Sequence, residues 1–263
     1  MPSGKQSKRR RAAAQAPPPP KRPAARRQAS PRVLIAAAAI VALIIVAVVL
    51  GVVLLGGSDN GSSSATVTKL PDATDVQQQF AGIPQHGDVL GKPSAPVTMV
   101  EYVDLQCPFC QQFETTVLPT LISRYVRKGK LRIEERLIGI LGVDSLTGRD
   151  AALAAGLQNK LFNFAQLLYD NQGVENTGWL DDDMIKSAAA SIPGLDASRL
   201  LGGRNSSAVG AQAKALDAQK AADGVNSTPS IFVGKSGTTP SPVTLTSPSD
   251  ETPVAAAIDA ALG

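Results

Sequence analysis

The stretch VEYVDLQCPFCQQFETTV, Val100 to Val117, runs from a strand-like segment into a helix-like one and holds both cysteines of the 263-residue chain. No other feature narrows the fold as far. A disulfide stabilises mainly by closing a long loop in the unfolded chain, and Cys107 and Cys110 enclose only Pro108 and Phe109. The pair is a poor staple, and its position at a helix start suits chemistry. There Cys107 meets unpaired backbone N–H groups and the positive end of the helix dipole, which favour thiolate over thiol. Such settings lower a cysteine pKa from about 8.5 to roughly 3.5–7.5. Cys110, one turn inside, is shielded and can attack a mixed disulfide formed at Cys107.

Other uses of the pair fit less well. Structural zinc needs four Cys or His ligands, and the chain offers two cysteines and one histidine, His86, in a proline-containing stretch far from them. No metal site is expected. Cysteine-peptidase chemistry wants a His base beside the thiol, which His86 is poorly placed to supply. A permanent, inert disulfide stays open as an alternative.

Charge and hydropathy divide the chain. Ten of the 26 Lys and Arg lie in residues 1–32, and no acidic residue precedes Asp59. Residues 58–263 carry 16 basic against 22 acidic side chains, a formal net of −6. The pI near 9.1 thus averages a basic tail and an acidic body, and no nucleic-acid partner is expected. Val33 to Leu55 is 23 residues without a charge or a proline. As a helix it would be about 35 Å long, enough to cross a hydrocarbon core of about 30 Å. It exceeds the roughly 7–15 apolar residues of a cleaved signal peptide, and no A-x-A-like site follows it closely. The reading is a disordered basic cytoplasmic tail (1–32), an uncleaved transmembrane anchor in contact with lipid (33–55) and an extracytoplasmic linker (56–94). Positive flanks stay in the cytoplasm, which puts the remainder where disulfides persist.

The folded domain is expected over 95–263. Ala95–Asp104 reads as a buried strand, and Phe109, Phe113, Val117, Leu121 and Tyr125 recur at helical spacing. Pro119 should kink that helix and Gly129 stop it. Leu131, Ile133 and Leu137 alternate as a second strand. Residues from about 148 to 224 read as mostly helical, with Leu153, Leu157, Leu161, Phe164 and Leu168 on one face. Short strands follow at Pro229–Gly234 and Pro242–Thr246. A last helix has Thr252 as cap and Pro253 in first position. This order is an α/β sheet with a helical subdomain inserted in its middle.

Together, VEYVDLQCPFCQQFE, LLYDNQGVENTGWLDDDMI and GVNSTPSIFVG resemble the DsbA-like branch of the thioredoxin superfamily, in particular its membrane-anchored bacterial members. The resemblance implies a thioredoxin-like fold with an inserted helical cap, preceded by one transmembrane helix. It also implies thiol–disulfide oxidoreductase activity without a cofactor. Thr228-Pro229 matches the cis-proline loop that faces the cysteine pair and shapes docking of clients, with Ser227 where the family often has Gly. Pro108 and Phe109 would tune the site, Phe109 replacing the His of the best-known oxidases. Glu101 stands on an otherwise apolar strand, where a buried carboxyl is expensive without a task. An acidic residue at this place in the family relays a proton to or from the inner cysteine. The implied partners are reduced or misoxidised secreted or envelope proteins and a quinone-linked thiol oxidase in the membrane. Disulfide isomerase or reductase service, and a non-enzymatic peptide-binding or chaperone role, stay open as alternatives.

Overall fold

The sheet is built around one apolar strand. In the computed structural model, which describes residues 68–263, β3 (Val97–Val103) is buried at every position. Both of its edges are paired, in parallel with β4 (Leu131–Leu137) and antiparallel with β5 (Ser230–Lys235). A strand covered on both faces needs no polar alternation. β4 does alternate: Leu131, Ile133, Glu135 and Leu137 are buried, while Arg132, Glu134 and Arg136 reach the other face. The six-stranded order is β1-β2-β4-β3-β5-β6, with β1 (Gln85–His86), β2 (Val89–Leu90) and β6 (Ser241–Val243) on the flanks.

The crossover from β3 to β4 carries the cysteine helix, α2 (Pro108–Thr116). It breaks at Val117 and continues as the short α3 (Leu118–Leu121), which holds Pro119, and a π-helical turn, Ile122–Val126. Pro119 has no N–H to give to the preceding turn, so the interruption falls where the sequence places it. Gly129 follows at φ 68°, a left-handed conformation that costs glycine nothing.

Between β4 and β5 lies the helical insert: α4 (Val143–Gly156), α5 (Leu161–Asp170), α6 (Asp182–Ser191), α7 (Ala197–Gly203) and α8 (Ser207–Ala222). It begins at Val143 rather than 148. Gly148 is a packing position inside α4, where a Cβ would meet a Leu180 methyl at 2.7 Å. The expected single apolar face does not hold. Leu153, Leu161, Phe164 and Leu168 are buried, but Leu157 is 46% exposed. The chain turns between α4 and α5 at Asn159 (φ 57°), so the four-residue spacing spans a helix break.

The folded domain also starts earlier than Ala95, which corrects the linker expected over 56–94. Helix α1 (Ala73–Phe80) buries Ala73, Val76 and Phe80, and the Phe80 ring meets Phe162 of the insert at 6.2 Å. Arg127 donates to the carbonyls of Gln78, Gln79 and Ala81 at the C-terminal end of this helix. Strands β1 and β2 then extend the sheet. The last helix, α9, is Thr252–Leu262, with Thr252 already helical. Its N–H is taken by the Asp250 carboxylate at 2.9 Å, which moves the cap upstream of Thr252 and Pro253 to second place.

The tail, the apolar run and the first part of the linker lie outside the described residues. Among the described residues no helix is long and apolar enough to cross a membrane.

Candidate active site

Cys107 is the cap residue of α2, extended at φ −74° and ψ 120°, and Pro108 occupies the first helical turn. The chain arrives there through a fixed corner. Asp104, just past β3, takes the Gln106 N–H at 2.9 Å on its side chain and the Cys107 N–H at 3.0 Å on its carbonyl. Its other carboxylate oxygen takes the N–H groups of Ile140 and Leu141 at 2.8 and 3.1 Å. The Ser145 hydroxyl of α4 donates at 2.7 Å. The insert adds a second clamp: Gln172 donates to the carbonyls of Leu105 and Cys107 at 2.8 and 3.2 Å.

Both cysteines are free thiols and both are buried, Cys107 at 4% exposure and Cys110 at 0%. Their acidities diverge. A hydrogen bond from Cys110, helped by Thr228 and by the backbone N–H groups of Phe109 and Cys110, overcomes burial and lowers Cys107 from 9.0 to about 6. Burial pushes Cys110 well above the ordinary thiol range, and the neighbouring Cys107 adds to the effect. One sulfur is thus set up as a thiolate at neutral pH and the other as a thiol.

Thr228-Pro229 closes the site from the start of β5. Its peptide bond is cis, as the motif resemblance implied. The Cys107 thiol donates to the Thr228 carbonyl at 3.4 Å, so the loop faces the outer cysteine. Both loop residues are half-buried and Ser227 is exposed. Phe109 stands 58% exposed beside the pair. Among the described residues no cluster of three or more His, Cys, Asp or Glu could hold a metal ion.

Glu101 lies on β3, on the side of the sheet that faces α2, and is fully buried. The expectation that its carboxyl points inward holds, and burial pushes it from 4.5 up to about 8. Two further glutamates share this layer and escaped the sequence reading: Glu114 on α2 and Glu135 on β4, each 2% exposed. Glu135 was findable, since it falls in phase with Leu131, Ile133 and Leu137. Glu114 follows Cys110 by one turn, but in QQFETT it reads as a solvated polar residue.

Comparison with known proteins follows the same lines. A thioredoxin family model matches residues 85–246, from β1 past β6. The chain belongs to the thioredoxin family. A probable disulfide bond formation protein D of Bacillus cereus is 36% identical over 100 residues, 37% of this chain and 46% of that protein. The chain spans about half the length of the curated relatives it matches. Oxidised BdbD from Bacillus subtilis superposes with a TM-score of 0.59 at 20% identity, over 68% of this chain and 97% of that one. A thioredoxin-like oxidoreductase from Silicibacter pomeroyi gives 0.53 at 27% identity, over 71% and 96%. The thioredoxin-like fold is therefore shared with these solved structures.

Proposed function

We propose that this thioredoxin-family chain is a membrane-anchored thiol–disulfide oxidoreductase that works outside the cytoplasm and donates disulfides to secreted or envelope proteins. The observation that carries the reading is the asymmetry of the pair: an acidic Cys107 facing the Thr228 loop, with a shielded Cys110 one turn behind it. In the oxidised enzyme a client thiolate attacks Cys107 and Cys110 leaves. A second client thiolate then attacks the mixed disulfide and releases the reduced pair. A thiolate stabilised at Cys107 favours the reduced form, which is what a disulfide donor requires. Thr228 and Pro229 shape the docking of the client beside Cys107. Pro108 presets the first helical turn, and Phe109 offers the client an apolar contact without charge. Reoxidation falls to another protein, a quinone-linked thiol oxidase of the membrane. The name of the Bacillus cereus relative supports the direction, and the basic tail with its apolar run supports the anchoring.

The test uses the full chain and a reduced, unfolded client. The wild type, reoxidised by added oxidised glutathione, should oxidise the client catalytically. Offered a client that carries a disulfide, reduced Cys110→Ser should accumulate mixed disulfides through Cys107, and Cys107→Ser should trap few or none. Equal trapping by the two variants would overturn the assignment of roles, and absence of turnover would favour a permanent disulfide. Protease added to intact cells should remove the body. A body protected until the membrane is opened would refute the outward orientation.

A further inference from the structure

The segment that joins α5 to α6 lies against the chain just before the cysteine helix. Gln172 donates to the carbonyls of Leu105 and Cys107. The Asn176 N–H donates to Oε1 of Gln106 at 2.8 Å, and the Gly178 N–H donates to the Asp144 carboxylate in the first turn of α4 at 2.7 Å. Asn176 takes a left-handed φ of 57° to make its bond, a conformation that asparagine enters more readily than most residues. Its side chain lies over Gly142, where a Cβ would collide with it. The segment is thus fastened at both ends and pressed down in the middle.

Gln106 is covalently joined to Cys107 and is fully buried. Its amide is used at both ends. Oε1 accepts from Asn176, while Nε2 donates to the Ser145 hydroxyl at 3.0 Å and to the Leu141 carbonyl at 3.2 Å. The Asn176 side-chain oxygen stands 3.4 Å from the same nitrogen. Ser145 gives its own proton to Asp104, which also takes the Gln106 N–H. Ser145 can therefore only accept from Gln106, and the Asn176 N–H can only donate to it. The position calls for a neutral donor and a neutral acceptor on one planar group. An amide supplies both, and a carboxylate or an apolar chain does not. A buried polar group satisfied at both ends is held in one orientation.

We propose that segment 172–178 is a strap that seats Cys107 against the Thr228 loop, acting through Gln106 as a positioning residue. The proposal rests on the oxidoreductase reading above. Asp104 already ties the strand end to the insert, so the strap is not needed for that tie. What it adds is a hold on the residue before the reactive sulfur and on the Cys107 carbonyl itself. The groups that make Cys107 acidic are Cys110, Thr228 and the backbone N–H groups of Phe109 and Cys110. The Gln106 side chain bonds to none of them. It acts on that acidity only by placing the sulfur among them. With the strap closed, the Cys107 thiol reaches the Thr228 carbonyl at 3.4 Å. With Gln106 released, the peptide before Cys107 is free to turn and the sulfur loses its alignment with the helix start. Release of the client is the step that suffers, because the client–Cys107 bond then breaks with its electron pair going to the Cys107 sulfur.

The test compares Cys107 ionisation in variants of the reduced full-length chain, read by alkylation over a pH series. Gln106→Met keeps the length of the side chain and removes its hydrogen bonds, and it should raise the midpoint by about one pH unit. Gln172→Ala, at a half-buried position, should move it the same way by less, and it carries the test alone where Gln106→Met does not fold. Leu216→Ala, a cavity in α8 remote from the strap, supplies a comparable loss of stability and should leave the midpoint at the wild-type value. Equilibration with glutathione at pH 7 should then shift about five-fold toward the disulfide in Gln106→Met, as linkage requires of a one-unit rise. A midpoint unmoved in the folded Gln106 and Gln172 variants would overturn the strap. So would an equal shift in Leu216→Ala, which would assign the effect to lost stability. Alkylation involves no client, so the two readings fail separately. A strap-dependent midpoint in a chain that does not oxidise clients would strike the oxidoreductase reading, whereas an unmoved midpoint in an active enzyme would strike the strap.

Discussion

Asp104 and Glu101 sit three residues apart at the end of the central strand, both fully buried, in surroundings of opposite character. The corner around Asp104 spends its carboxylate on backbone N–H groups of three residues and the Ser145 hydroxyl. That ties the strand end to the insert and fixes the entry to Cys107. The layer around Glu101 gives its carboxyl no partner at all. A saturated carboxylate holds geometry, whereas an unsaturated one is free to gain and lose a proton. One short stretch of chain thus frames the cysteine pair with one acid and holds the other buried and unpartnered.

The contrast breaks most easily at Asp104. Asp104→Ala leaves buried donors without acceptors, and we expect a loss of about 3–5 kcal/mol in denaturant unfolding at neutral pH. A loss below about 1 kcal/mol would mean that the corner is not what holds the strand end.

Glu101→Leu should act with the opposite sign, gaining about 1–3 kcal/mol at pH 8 while slowing thiol exchange at neutral pH. The sign follows from proton counts. Between pH 4.5 and about 8 folded Glu101 keeps a proton that the unfolded chain has released. Its stabilising contribution is therefore full below that window and lost as pH rises through it, at about 1.4 kcal/mol per pH unit. Unfolding measured across the window should show a shallower decline in the Leu variant. An unchanged slope together with unchanged exchange would make Glu101 a passive core residue.

Gln172→Ala probes the clamp from the insert and should cost about 1 kcal/mol, read as a lower Tm. Phe109→His is the mildest. Phe109 is exposed, so stability should stay within about 0.5 kcal/mol. The added positive charge beside Cys107 should nonetheless move its ionisation below the wild-type midpoint and shift the pair toward donation.

The sequence carried the site further than it carried the frame. The cysteine helix, the strand before it and the inward Glu101 were legible because residue type and spacing state them locally. The Thr228-Pro229 loop came from motif resemblance, since nothing local brings residue 228 to residue 107. Glu135 shows the limit: alternation put it in phase with the core, but its neighbour Glu101 belongs to another strand, and only the register reveals the pair. Helix α1 was missed because Ala73, Val76 and Phe80 make a thin stripe among three glutamines. Its burial depends on α5 and Arg127, both distant in sequence. Leu157 was misplaced for the reverse reason, a helical spacing carried through a turn that Asn159 makes.

The two sulfurs divide the labour, and pH-dependent alkylation reads that division directly. The reduced full-length chain would be exposed to a small alkylating agent over a pH series, with peptide mapping to follow each cysteine separately. Cys107 should react with a midpoint near pH 6, while Cys110 stays protected through the neutral range in the folded protein. A common midpoint for both thiols near the ordinary value of 9.0, or earlier reaction at Cys110, would contradict the assignment.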